Sequence, residues 1–520
     1  MSDTRRRADE LSVAAALLGL ALAPMLSGCG SPLTERAGGG VSGLPEWKPF
    51  RYASPAPGVP WRIKPDKADA IPGERQPGVP AELQPVASSL TLPQLLAVAL
   101  DNTPATRQAW EQARSAAAAW GAARGEYYPA ATIGAQGLVS RGSSTASTST
   151  AVVVGVGSPD RVVAGLANIT LSYLLLDFGG RRGRADSAEQ ALVGANWNHS
   201  QVIQDVARNV ARAYHSYVGA KSQVVASRAT LEEAQTSLEA VEVRRLSGVA
   251  TVADLYQAQS NVAQARLALE RDQGNVDTAR GALATSVGWP ANTPFDVAAM
   301  DDVPMEVFDR SVDDLIEEAQ RRRPDLAAVR AFVRRKEADL RQAESARWPT
   351  LSSVMSVGTI TVDGSTPPGN DPNYIAGLQI QIPVFQGGAL DNAVRSARQD
   401  VEAARAALQL QSDVVVSDVW NTYINVRTAS QQIISSRALV RSAELAYEAA
   451  LARYRAGATN IVELVTVQST LAGARSQQVQ ARTNLYTSYA ELLRAVGMVP
   501  PGAMPAAGPA PLSREEQDRK

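Results

Sequence analysis

The chain has 520 residues, with 51 basic and 52 acidic side chains and a formal net charge of −1, so charge gives nucleic acid no purchase. Two histidines, His199 and His215, and one cysteine, Cys29, leave no His/Cys metal site to build. No phosphate loop, nucleophile elbow or metal spacing is present, so neither an enzyme nor a cofactor is expected.

The N-terminus reads as an address. Arg5, Arg6 and Arg7 precede an apolar stretch from Leu11 to Met25, too short to span a bilayer and suited to a secretory signal over residues 1–28. It ends in Leu26-Ser27-Gly28-Cys29, which resembles a bacterial lipobox with Cys29 as the acylated first residue. By that resemblance Gly30, in place of Asp, favours outer-membrane sorting. Acyl chains at about 0.8 kcal/mol per buried methylene would hold the protein to lipid. Residues 29–90 read as a linker, with eleven prolines from Pro32 to Pro85. A flexible tether of that length reaches roughly 45 Å.

The remainder repeats itself, over 91–299 and 300–499, before a tail at 500–520. Pro104 and Pro129 are answered by Pro324 and Pro349 at an offset of 220. Val206, Val210 and Tyr214 are answered by Val415, Val419 and Tyr423 at an offset of 209, which Gly248/Gly457, Asp254/Glu463 and Gly288/Gly497 keep. The offset falls because the first hairpin is longer, with its extra residues placed in Ser140–Thr150. Ile169, Leu171, Tyr173 and Leu175 alternate with Asn168, Thr170, Ser172 and Leu174. Tyr374 to Val384 alternates likewise. Each such strand pairs with an earlier one, near Ala130–Leu138 or Leu351–Val362. Four strands cannot close a barrel, and open edges are forbidden in lipid, so a spanning version must be oligomeric. Three copies would supply twelve strands. A half-buried soluble sheet gives the same alternation.

From Arg181 to Arg245 no proline interrupts the chain. Ile203, Val206, Val210, Tyr214, Tyr217, Val224, Leu231 and Leu238 step by three, four or seven, as in a coiled-coil seam. That length makes a helix of about 98 Å. Ala389 to Tyr454 repeats it, and each helix turns at a Gly and runs back. The product is a tube wall or a solid bundle.

Arg323-Pro324-Asp325-Leu326, Ile382-Pro383-Val384-Phe385-Gln386-Gly387-Gly388 and Arg453-Tyr454-Arg455-Ala456-Gly457, in this doubled order, resemble the TolC-like outer-membrane efflux proteins, lipoprotein branch. The resemblance covers about residues 88–499. It implies a mainly α chain with a small β part, in which two tandem repeats of long helical hairpins and two-stranded membrane hairpins form a homotrimer. The assembly would be a twelve-stranded barrel in the outer membrane over a helical periplasmic tunnel. It also implies a periplasmic adaptor and an inner-membrane transporter as partners. The rival readings are the duct of a type I protein-secretion system and a structural coiled-coil envelope lipoprotein.

The turns at Gly248 and Gly457 then lie farthest from the membrane. Six residues past each comes an acid, Asp254 or Glu463, and six such carboxylates in a threefold assembly would crowd one constriction and attract cations. The bland alternative is a helix-start acid complementing the dipole. The resemblance implies that acids here line a closed entrance and that Tyr454 helps hold it shut. Its repeat counterpart, Arg245, is a candidate to pair with an acid. It also makes Gly248, Val249, Gly457 and Ala458 the adaptor-contacting tips, with Arg244, Arg453 and Arg455 exposed beside them.

Overall fold

The computed structural model describes residues 78–80, 83–140, 162–298, 310–363 and 370–498. The signal segment, Cys29, most of the Pro-rich linker, the stretch after Ser140 and the C-terminal tail lie outside the described residues.

The first repeat runs α1 (Leu92–Asn102), α2 (Pro104–Gly125), β1 (Ala130–Ser140), β2 (Val162–Leu176), α3 (Gly180–Leu246) and α4 (Val252–Val287). The second runs α5 (Val312–Arg322), α6 (Pro324–Ser345), β3 (Thr350–Asp363), β4 (Asn370–Gln381), α7 (Ala389–Arg455) and α8 (Ile461–Val496). Paired helices agree in length: 11, 22, 67 and 36 residues in both copies. Pro104 and Pro324 open α2 and α6, where a missing N–H removes no helix bond. They also hold Thr103 and Arg323 extended, at ψ 126° and 124°, which separates α1 from α2 and α5 from α6.

The four strands form one antiparallel sheet in the order β1-β2-β3-β4. The register places Ile133, Ile169, Val357 and Tyr374 side by side, and Ala131, Leu171, Met355 and Ala376 beside them. Ile133 is 73% and Tyr374 81% exposed, so this apolar face has no cover among the described residues. The opposite face carries Thr132, Asn168, Thr170, Ser356 and Gln379. There the Asn168 amide donates to Thr170 Oγ1 (2.9 Å) and Ser356 Oγ (3.2 Å). β4 ends at Gln381, short of the expected Val384.

Partway along the long helices, α1 buries Leu95, Leu96 and Ala99 against Val206, Val210 and Tyr214 of α3 and Leu283 and Val287 of α4. α5 repeats this with Leu315 and Ala319 against Val415, Val419, Leu492 and Val496. Arg323 threads between these elements. Its guanidinium pairs with Asp325 (2.6 Å) and Asp418 (3.0 Å) and donates to the Ala495 carbonyl (3.4 Å).

The expected seam on α3 holds at Val206, Val210, Tyr214 and Tyr217. Farther down, Val224, Leu231 and Leu238 are only partly buried, and the buried line runs through Ser227, Ala234, Ser237 and Val241. Small side chains there let long helices approach closely, which an apolar count passes over. His215 stacks on Tyr486 of α8 at 5.1 Å, and burial holds its pKa down at about 4 against an ordinary 6.5. The neutral ring is the folded form. Its contribution to stability is therefore intact above pH 6.5 and is lost as the pH falls toward 4. His215→Phe should flatten the fall in melting temperature across that window; an unchanged slope contradicts this.

Candidate functional site

The two helical hairpins end in matching turns. Gly248 and Gly457 take φ of +76° and +80°, a left-handed conformation that a side chain disfavours. The Val249 and Ala458 amides reach back to the Arg244 carbonyl (3.0 Å) and the Arg453 carbonyl (2.8 Å), closing each helix. Thr251 and Asn460 then cap α4 and α8. All four expected tip residues, Gly248, Val249, Gly457 and Ala458, are exposed.

The acids differ in what holds them. Asp254 completes a capping box, accepting the Thr251 amide at 2.8 Å while its own amide donates to Thr251 Oγ1 at 3.1 Å. The Glu463 carboxylate accepts Arg453 at 2.8 Å and the Thr459 hydroxyl. Arg453 is therefore tied back to its own hairpin.

Tyr454 is 2% exposed, and Arg244 crosses from the other hairpin to cover it. The guanidinium lies 4.5 Å from the ring centroid and donates to the Tyr454 carbonyl at 2.5 Å. Burial raises the Tyr454 pKa; Arg244 opposes this and the Asp254 charge adds to it. The Tyr454 hydroxyl is buried without a hydrogen-bond partner. Arg245, expected beside an acid, is exposed, and the neighbouring Arg244 turns inward to Tyr454, not to an acid. One residue of helix rotation, about 100°, separates the two side chains, and the repeat offset alone does not register it.

Further links tie the hairpins above the tip. Arg475 of α8 pairs with Glu233 of α3 at 2.8 Å, the Tyr447 hydroxyl donates to the Glu233 carbonyl at 3.2 Å, and Asn261 donates to Gln468 at 2.9 Å. Burial raises the Glu233 pKa, opposed by Arg475. The sequence reading also passed over an apolar cluster on the first tip: Val243, Leu246, Val249 and Val252 are exposed, Leu246 at 82%. Among the described residues there is no cluster of His, Cys, Asp and Glu fit for a metal ion, and no helix long and apolar enough to cross a membrane.

A sheet apolar on one face and polar on the other, continued into paired helical rods, defines an outer-membrane channel protein of the barrel-and-tunnel class. The family described as outer membrane efflux protein matches residues 95–289 and 315–498, one block per repeat, and the chain belongs to that family. Protein CyaE of Bordetella pertussis is 28% identical over 432 residues, covering 82% of this chain and 89% of its own. The pyoverdine export outer membrane protein OpmQ of Pseudomonas aeruginosa is 26% identical over 354 residues, covering 65% of this chain and 71% of its own. The solved outer-membrane channel OprN shares the fold, with a TM-score of 0.69 at 21% identity over 78% of this chain and 89% of that one.

Proposed function

We propose that this chain is the exit duct of a tripartite export system: a homotrimer, anchored by lipid at Cys29, that conducts passively and is gated at its periplasmic end. The observation that carries this reading is the sheet. An apolar row, Ile133, Ile169, Val357 and Tyr374, crosses one face through all four strands, Ile133 and Tyr374 in it are largely exposed, and both margins are unpaired among the described residues. Neither a bilayer nor water accommodates such a sheet alone. Three copies closing it would place the apolar face in lipid and the Asn168–Thr170–Ser356 face around the duct. The pyoverdine export relative supports a small-molecule cargo.

A periplasmic adaptor and an inner-membrane transporter complete the system in this reading. The exposed apolar tip of the first hairpin and the turn at Gly457 are the surfaces offered to the adaptor. Asp254 and Glu463 line the constriction, with Arg244 and Tyr454 as the clasp behind it. Replacing both acids with Ala is expected to weaken cation preference and change single-channel conductance in planar bilayers. Unchanged conductance and selectivity would remove these acids from the gate.

A further inference from the structure

We infer that the sheet end of the duct passes polar cargo without regard to the sign of its charge. It is lined by a girdle of uncharged hydroxyl and amide side chains, in which two glycines make room for Asn168, and any charge preference of the whole duct is set in its helical part. This rests on the proposed duct and names the class of cargo its exit admits.

Of the whole chain 20% is charged, yet residues 130–137, 165–176, 350–359 and 373–381 of the four strands hold no Asp, Glu, Lys or Arg. Hydrocarbon requires that absence on the apolar face. Nothing requires it on the opposite face, where ion-selective pores carry rings of charged side chains. There the register sets Thr132, Thr170 and Ser356 in one row, Ser172 between Ala130 and Val354 in the next, and Ser352 with Gln379 in a third. The first charge below each strand is paired with its opposite: Glu126 with Arg184 at 2.6 Å, Asp177 with Arg181 at 3.6 Å, and Arg347 with Asp391. Toward the outer end, Asp371 is the first acid of β4 on the polar register. Gly377, level with Ser172, stands six residues from it. That length of strand rises about 20 Å, more than twice the screening length of about 8 Å at physiological salt. The row at Ser172 therefore lies outside the reach of fixed charge.

The glycines give an independent observation. Asn168 stands in register between Gly134 of β1 and Gly358 of β3. A Cβ on Gly134 would lie 2.9 Å from Asn168 Oδ1, and one on Gly358 would lie 2.8 Å from Asn168 Cβ and 2.3 Å from the Ala167 carbonyl oxygen. Glycine inside a strand weakens it, so the sheet gives up stability to make room for this one amide. In that room the amide reaches Thr170 Oγ1 and Ser356 Oγ and donates to both, and the two hydroxyls are themselves 3.2 Å apart. Aspartate has the same shape and could accept from the same two hydroxyls, so the partners alone do not demand an amide. The chain carries the neutral isostere. Gln379 and Gln381, exposed on the same face, repeat the choice of amide over acid.

Ser172→Cys in the full lipidated chain tests this, because the native thiol, Cys29, is acylated in that reading. The variant is inserted in planar bilayers, where its conductance should match the wild type. Cationic and anionic methanethiosulfonate reagents of similar size are added from the extracellular side, so that they reach the thiol without passing the helical tip. Loss of conductance gives each rate, which is divided by the rate of the same reagent with a free thiol in solution. The two normalised rates should agree within about threefold at physiological salt, even where the wild type prefers cations in its reversal potential. A larger preference for either reagent overturns the inference. Gln379→Cys, one row nearer the helices, repeats the measurement with the same expected ratio and serves if the first variant fails to fold. Failure of the duct reads differently, as a wild type that does not conduct or a thiol that neither reagent reaches, and it removes this face from the duct together with the proposed function. A conducting wild type whose thiol takes one sign of reagent sinks only this inference.

Discussion

Arg323→Ala is expected to lower unfolding stability by about 3–5 kcal/mol, the range for removing one partner from a buried charge cluster. Arg323 is 3% exposed and makes contacts to α6, α7 and the end of α8. Burial alone would lower its pKa, and bonds to Asp325 and Asp418 reverse the direction. The same exchange governs Asp325. Burial pushes its pKa up, and Arg323 pulls it below the ordinary carboxylate value. Remove the arginine and burial prevails, leaving a half-buried carboxylate whose remaining side-chain donor is Gln411 at 3.0 Å. Asp418 is 39% exposed and retains Arg494 at 3.8 Å, so most of the loss falls on Asp325. Chemical denaturation followed by circular dichroism measures it. Arg321→Ala, which removes an exposed pair with Glu317, is the comparison and should change little. Equal effects would contradict the anchoring role.

Tyr454→Ala should be nearly as damaging at the tip, by about 3–5 kcal/mol, as for other buried aromatics cut to alanine. The ring packs with Val241, Tyr447, Ile461 and Leu464, and Arg244 lies over it. Tyr454→Phe is the informative contrast. The hydroxyl has no hydrogen-bond partner, so deleting it relieves an unsatisfied buried group and stability is retained or improved. Arg244→Ala removes the one side chain that clasps Tyr454 from the opposite hairpin. If the clasp holds the tube closed, conductance rises in Arg244→Ala and Tyr454→Ala but stays at the wild-type level in Tyr454→Phe. Raised conductance in Tyr454→Phe would assign the closing force to the hydroxyl and contradict the geometry.

Most of the architecture was legible because the repeat made each reading twice. Pro104 with Pro324 and Gly248 with Gly457 marked the joints, and the paired helices agree in length to the residue. What escaped was set by contacts between distant segments. Ser227, Ala234 and Ser237 carry the lower seam because close approach, and not apolar bulk, is what two long helices need there. Arg244, and not Arg245, faces the other hairpin, and its partner is Tyr454 where an acid was expected, because a repeat offset fixes position along a helix but says nothing about which side chain points across. The separate partners of Asp254 and Glu463 followed from cap chemistry: Thr251 builds a reciprocal box, whereas Asn460 leaves Glu463 free to take Arg453. The apolar tip of the first hairpin, Val243, Leu246, Val249 and Val252, is interleaved with Arg244 and Arg245, which masks it in a linear reading.

Four strands per chain are too few to close a wall, and several copies pool them into one. Light scattering of the detergent-solubilised full chain, corrected for bound detergent, counts the copies directly. Three copies per particle is the predicted result. A single copy, with Ile133 and Tyr374 folded away from detergent, would contradict the duct and everything built on it.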